Sequence, residues 1–97
     1  MKDNPYYTPD RFGLEWLENF EWSDEPYRFD MTVVFKDAEG RFYWADDCGC
    51  SCPSPFEDLT REELEHGDLA DLRRELEYRA HRDASKSEVR QFLHGLQ

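Results

Sequence analysis

The chain has no long hydrophobic run. No stretch approaches the roughly 18 apolar residues a membrane helix needs, and the mean hydropathy is −0.98. Met1-Lys2-Asp3-Asn4-Pro5 leads into polar sequence without the apolar stretch of a secretory leader. The chain is therefore expected to stay in the compartment where it is made and to avoid membranes. Cysteine is scarce and oddly placed: there are three, all within residues 48–52. A secreted disulfide scaffold would spread an even number along the chain, so a reducing cytosol is expected. Basic residues are few as well. Twelve Lys and Arg stand against 23 Asp and Glu, for a net charge of −11. Direct nucleic-acid binding needs cations for phosphate, and anionic membranes repel such a chain. There is no glycine-rich phosphate loop and no serine nucleophile elbow. No acid pair falls in a recognisable motif, so an enzyme is not expected.

Aromatic residues are abundant. Phe, Trp and Tyr make up 15% of the 97 residues, which argues for a packed core despite the charge. The length suits a single domain spanning 1–97. Residues 1–11, with Pro5 and Pro9, read as an extended arm. Phe12, Leu14, Trp16, Phe20 and Trp22 share even parity, as in one strand or in two with a bulge near Leu17–Asn19. Tyr27, Phe29, Met31, Val33 and Phe35 then alternate with Arg28, Asp30, Thr32, Val34 and Lys36, the pattern of a half-buried strand. Asp37-Ala38-Glu39-Gly40 fits a hairpin loop, and Arg41 to Asp46 the return strand, with Phe42 and Trp44 facing one way and Tyr43 the other. The expected sheet is thus an antiparallel meander over 12–46.

Residues 47–59 carry a glycine and two prolines and read as an irregular Cys/Pro loop. The remainder, 60–97, reads as helices. Thr60 with Glu63 matches a capping box, and Asp68 can cap a helix with a Leu69, Leu72, Leu76 stripe. Ser85 with Glu88 offers another box ahead of Val89, Phe92, Leu93 and Leu96. The fold class expected is α+β: a three- to four-stranded antiparallel sheet followed by two to three C-terminal helices.

Two groups of residues are candidates for function. Cys48, Cys50 and Cys52 alternate in a loop and can direct thiolates at one soft metal such as zinc. A closed site needs a fourth ligand, for which His66, His81, His94, Asp46 and Asp47 are available. The competing reading is small, part-buried cysteines packed on the sheet. Otherwise no cofactor is expected. The second group is acidic. Residues 1–60 hold fourteen acids against five cations, whereas residues 61–97 hold nine against seven. Asp24, Glu25, Asp46, Asp47, Glu57 and Asp58, with Trp44 and Phe56 as aromatic anchors, are the candidate partner-binding residues, suited to a basic protein surface. Acids on a small sheet also serve solubility and suppress edge pairing.

The strings Arg11-Phe12-Gly13-Leu14-Glu15, Phe29-Asp30-Met31-Thr32-Val33-Val34-Phe35, and above all Gly49-Cys50-Ser51-Cys52-Pro53-Ser54-Pro55-Phe56-Glu57-Asp58 resemble a group of small uncharacterised proteins encoded by phages of actinobacteria. The resemblance covers residues 6–60. It implies a phage origin and a host cytoplasm, and it implies that the Cys50 and Cys52 positions recur while Cys48 is commonly Ser. It carries no activity. The expected function is that of a small acidic accessory protein that binds a host or phage protein; the alternative is a metal-binding structural domain organised by the three cysteines.

Overall fold

The computed structural model describes residues 3–25, 27–50, 56 and 59–96, with the side chain of Cys50 excepted. Strands β1 (Leu14–Glu21), β2 (Arg28–Asp37), β3 (Phe42–Cys50) and β4 (Glu65–Gly67) form one antiparallel sheet in the order β1-β2-β3-β4. Helices α1 (Leu69–Arg79) and α2 (Asp83–Gly95) follow. The α+β meander expected from the sequence is thus the observed fold, with four strands and two α-helices among the described residues.

Hydrophobic residues form a core on each face of the sheet. One core joins Phe20, Trp22, Val34 and Trp44 to Leu72, Leu76 and Ala80 of α1 and Val89 and Leu93 of α2. The other joins Leu14, Val33, Phe35, Tyr43 and Ala45 to Phe56 and Leu64, with Tyr6, Phe12 and Leu59 packed against it. This explains a departure from the expected pattern in β2. Thr32, Val33, Val34 and Phe35 are all fully buried, so the strand is covered on both faces rather than half-buried. Its alternation sorts residues between two cores, not between core and solvent.

The irregularity in β1 has a larger consequence than the pattern suggested. Pairing shifts between Trp16 and Glu18. Before the shift, Leu14 opposes Asp37 and Trp16 opposes Phe35; after it, Glu18 opposes Val34 and Phe20 opposes Thr32. Directly paired residues share a face, and one extra residue inverts the parity. Leu14 therefore joins the arm-side core, and Phe20 and Trp22 the helix-side core. The even-parity residues do not form one face, and Trp16 remains 47% exposed.

The hairpin at Gly40 forms as expected. Asp37 accepts from the N–H groups of Glu39 and Arg41 at 3.0 and 2.9 Å, and Gly40 adopts φ +84°, where a side chain would be strained. These bonds and the Tyr43 hydroxyl, at 2.9 Å, favour the charged Asp37 carboxylate and lower its pKa, the Arg41 N–H contributing most.

Three boundaries differ from the sequence reading. The return strand runs on through Cys50 instead of ending at Asp46, because β2 continues opposite it to Arg28; residues 47–50 are sheet, not loop. The capping pair at Thr60 forms, with the Glu63 carboxylate accepting from the Thr60 N–H and hydroxyl at 3.2 and 2.9 Å. It opens only the 3-10 turn Arg61–Glu63. The chain then turns into β4, which occupies the edge of β3 at Phe42–Trp44. Finally, α2 starts at Asp83, and Ser85 is a buried residue of its first turn rather than its cap. Ser85, Val89 and Leu93 share one helix face. By contrast, Asp68 caps α1 as expected, accepting from the Asp71 N–H at 3.0 Å, while Asp71 accepts in return from the Asp68 N–H at 3.2 Å.

Candidate functional site

The sheet has two ends. The Asp37–Gly40 hairpin closes one. At the other, the β1–β2 connection lies beside the end of β3, since Arg28 opposes Cys50 and the Trp22 N–H donates to the Asp30 carbonyl at 2.7 Å. Of the acids singled out from sequence, Asp24 and Glu25 lie in that connection, Asp46 lies farther along β3 opposite Thr32, and Asp47, opposite Met31, points to the other face of the sheet. Glu21 and Asp30 lie at this end too, and Glu21 accepts from the N–H groups of Ser23 and Asp30, both at 3.0 Å. Tyr27 stands on this end with 77% of its surface exposed.

Arginines cover part of this charge. Arg82 contacts Asp24 at 3.5 Å and Arg28 contacts Glu25 at 3.8 Å. Arg79, at the end of α1, forms a hydrogen-bonded ion pair with Asp30 and lies 3.8 Å from Asp46. Its guanidinium also sits 6.0 Å from the centre of the Trp22 ring. Asp46 accepts from the Thr32 hydroxyl, which in turn accepts from the Trp22 indole N–H at 2.8 Å. This chain of bonds explains a fully buried threonine under the helices. Glu75 of α1 completes the group. Burial raises its pKa, and the carboxylates of Asp46 and Glu65 push in the same direction. Carboxylates thus outnumber the cations that hold them, and the end is electronegative.

Asp47 has a different task. Its carboxylate accepts from the N–H groups of Cys48 and Phe56, at 2.9 and 2.8 Å. Phe56 has φ +59°, which is unfavourable for a bulky residue and costs on the order of 1–3 kcal/mol. Three contacts impose it: Asp47 on its N–H, the Asn4 side chain donating to its carbonyl at 2.8 Å, and the Tyr6 ring stacked on its own at 4.7 Å. Asn4 also accepts from the N–H groups of Tyr6 and Tyr7 at 2.8 and 3.0 Å. Asp47, Asn4 and Phe56 are therefore a clamp between the arm, the sheet and the segment after the cysteines. Asn4 was invisible to sequence reasoning, since its partner lies 52 residues away.

The aromatic anchors chosen from sequence are not on the surface. Trp44 is 5% exposed in the helix-side core and Phe56 is 3% exposed in the arm-side core, because each points at a layer that covers the sheet. The large exposed rings are Tyr27, Tyr78 and Trp16. Tyr27 opens the alternating apolar set expected for β2. It lies before the first paired residue, Arg28, so no neighbouring strand orients it. Glu57 and Asp58 lie outside the described residues.

Of the proposed thiolate ligands, Cys48 is an exposed free thiol in β3. Cys52 and the side chain of Cys50 lie outside the described residues. Among the described residues, no group of three or more His, Cys, Asp and Glu is placed to hold a metal. His66 opposes Tyr43, roughly 17 Å along β3 from Cys48 at about 3.3 Å per residue, and is not a fourth ligand to it. His81 and His94 are exposed. Asp47 is already engaged by two N–H groups. No helix among the described residues is long and apolar enough to cross a membrane.

No curated protein and no solved structure matches the chain. A family model does: the one described as a domain of unknown function, DUF7574, matches residues 3–97. The chain belongs to that family.

Proposed function

We propose that this protein is a non-catalytic binding module, a phage-encoded accessory protein that engages a basic surface of a host or phage protein in the host cytoplasm. The observation that carries the reading is the exposed Tyr27 ring beside the exposed Asp24 and Glu25 of the β1–β2 connection, with Asp30 and Asp46 gathered at Arg79 of α1. Carboxylates steer a basic partner toward the site, and an exposed tyrosine supplies rigid apolar area for a contact. Arg79 and Arg82 cover this end only in part, so a partner's cations can compete for Asp24 and Asp46. The phage origin rests on the motif spanning residues 49–58.

The test is capture of partners from actinobacterial cells expressing the tagged chain, compared with an Asp24→Lys, Glu25→Lys, Tyr27→Ala variant. The three sites are exposed, so the variant should melt like the parent. A partner retained by the parent and lost by the variant, with affinity falling steeply as salt rises, is the expected result. A partner held equally by both, or insensitive to salt, would overturn the assignment.

A further inference from the structure

A second surface has the opposite charge. A groove of about 400 Å³ runs between α1 and α2, lined by Arg73 of α1 and by Lys86, Arg90 and His94 of α2. Glu77 is the acid on its wall, and Ala80, Val89 and Leu93 form its floor. The volume lies at the small end of the range for ligand sites, about 300–1,000 Å³. In a chain of net charge −11 this concentration of cations is unexpected. None of the four basic side chains forms an ion pair or a side-chain hydrogen bond with a described residue. The other helical arginines differ: Arg74 contacts Asp71, Arg79 contacts Asp30, and Arg82 contacts Asp24.

The spacing suggests what would fill it. Lys86, Arg90 and His94 recur every fourth residue, so they form a row on one face of α2 roughly 12 Å long, at about 1.5 Å per residue. One carboxylate spans only a small part of that row. A chain carrying several carboxylates, with an apolar side chain between them, matches both the row and the floor. We infer that the α1–α2 groove docks an acidic peptide segment of a partner protein, its carboxylates facing Arg73, Lys86 and Arg90 and one apolar side chain lying over Val89 and Leu93. This surface is separate from the acidic end of the sheet, and binding at one does not require binding at the other.

The probe is a fluorescein-labelled synthetic peptide of about twelve residues, with Glu at every fourth position and Leu between, as one helical face presents them. Its binding to the full chain is followed by fluorescence anisotropy in about 0.15 M NaCl, where distant acids are largely screened. Saturable binding is expected, weakened by at least roughly tenfold in Arg73→Glu, Arg90→Glu and retained in Arg90→Lys. Both arginines lie on the surface side of their helices, and a thermal melt checks that the double variant folds. A lysine-for-glutamate version of the peptide should not bind. Equal binding to parent and double variant would overturn the inference. So would displacement of the peptide by octanoate at equal molar concentration, which would mark a site for small anions. Self-association of the chain that disappears in the double variant would also overturn it, by making a second copy the occupant.

Discussion

The two faces of the sheet are covered in different ways. On one, α1 and α2 lie across Val34 and Trp44 and present Leu72, Leu76, Val89 and Leu93 at helical spacing. Each helix satisfies its own backbone, so its apolar stripe suffices to hold it on the sheet. On the other face the cover is irregular: the arm from Asn4, the 3-10 turn Pro9–Phe12, Phe56, and the chain from Leu59 to Leu64. Such a cover satisfies its backbone only in part through its own turns, as where the Thr8 N–H donates to the Asn4 carbonyl at 2.8 Å. Side chains of Asn4, Thr8 and Asp47 supply further bonds, at 2.8–3.1 Å. A helical cover depends on many similar contacts, whereas an irregular one depends on a few particular hydrogen bonds.

The comparison is open to direct attack. Leu76→Ala on the helix side should have the largest effect, about 2–5 kcal/mol of global stability, read as a lower denaturation midpoint with an unchanged slope. Phe56→Ala removes a buried ring while leaving a Cβ at the same positive φ, but the ring packs in the irregular cover rather than under the helices, so its global cost should be smaller than that of Leu76→Ala. Its effect should concentrate in the arm: amide exchange at residues 4–13 should accelerate while β2 and β3 keep their protection. Equal loss of protection across the whole chain would mean that the two covers unfold as one unit.

Asn4→Ala should cost about 1–3 kcal/mol, by leaving the Phe56 carbonyl without its buried donor, and should reproduce the exchange pattern of Phe56→Ala. An Asn4→Ala chain with parental exchange at Tyr6 and Tyr7 would show that the clamp is dispensable. Glu75→Gln should act on the helix side and in the stabilising direction. Glu75 has its pKa raised in the folded chain above the ordinary 4.5. Its favourable contribution is therefore present below that ordinary value and is lost as pH rises through the folded-state pKa. The variant should melt above the parent at pH 7, and the difference should vanish below about pH 4. The smallest effect belongs to Cys48→Ser. The thiol is exposed, and its replacement should change stability by no more than about 0.5 kcal/mol. A large loss of stability that chelator reproduces in the parent would instead bring back the metal reading.

Several elements were legible because their signals are local. The Asp37–Gly40 hairpin, the Asp68 cap and the Leu72–Leu76 stripe each depend on residues within one or two turns of one another. The candidate site was legible in part. Asp24 and Glu25 lie together in the β1–β2 connection, but the arginine partners of Asp24, Glu25 and Asp46 come from the helix junction, β2 and α1, and Asp47 faces the other side of the sheet and serves the clamp. Trp44 and Phe56 read as surface anchors from sequence because aromatic content alone does not say which rings are covered. The strand character of Cys48 and Gly49 was hidden because glycine and cysteine carry little strand signal, while pairing with Phe29 and Asp30 does.

By itself, then, the amino-acid sequence determined the class of the fold, the order of its elements and the acidity of its sheet half. These follow from periodicity, turn chemistry and composition, which act over a few residues. The tertiary structure alone decided the second core, the inversion of parity in β1, the edge strand β4, and the concentration of unpaired cations between α1 and α2. Each of these arises between residues distant in sequence, because burial and hydrogen bonding are settled by what the folded chain brings alongside a residue.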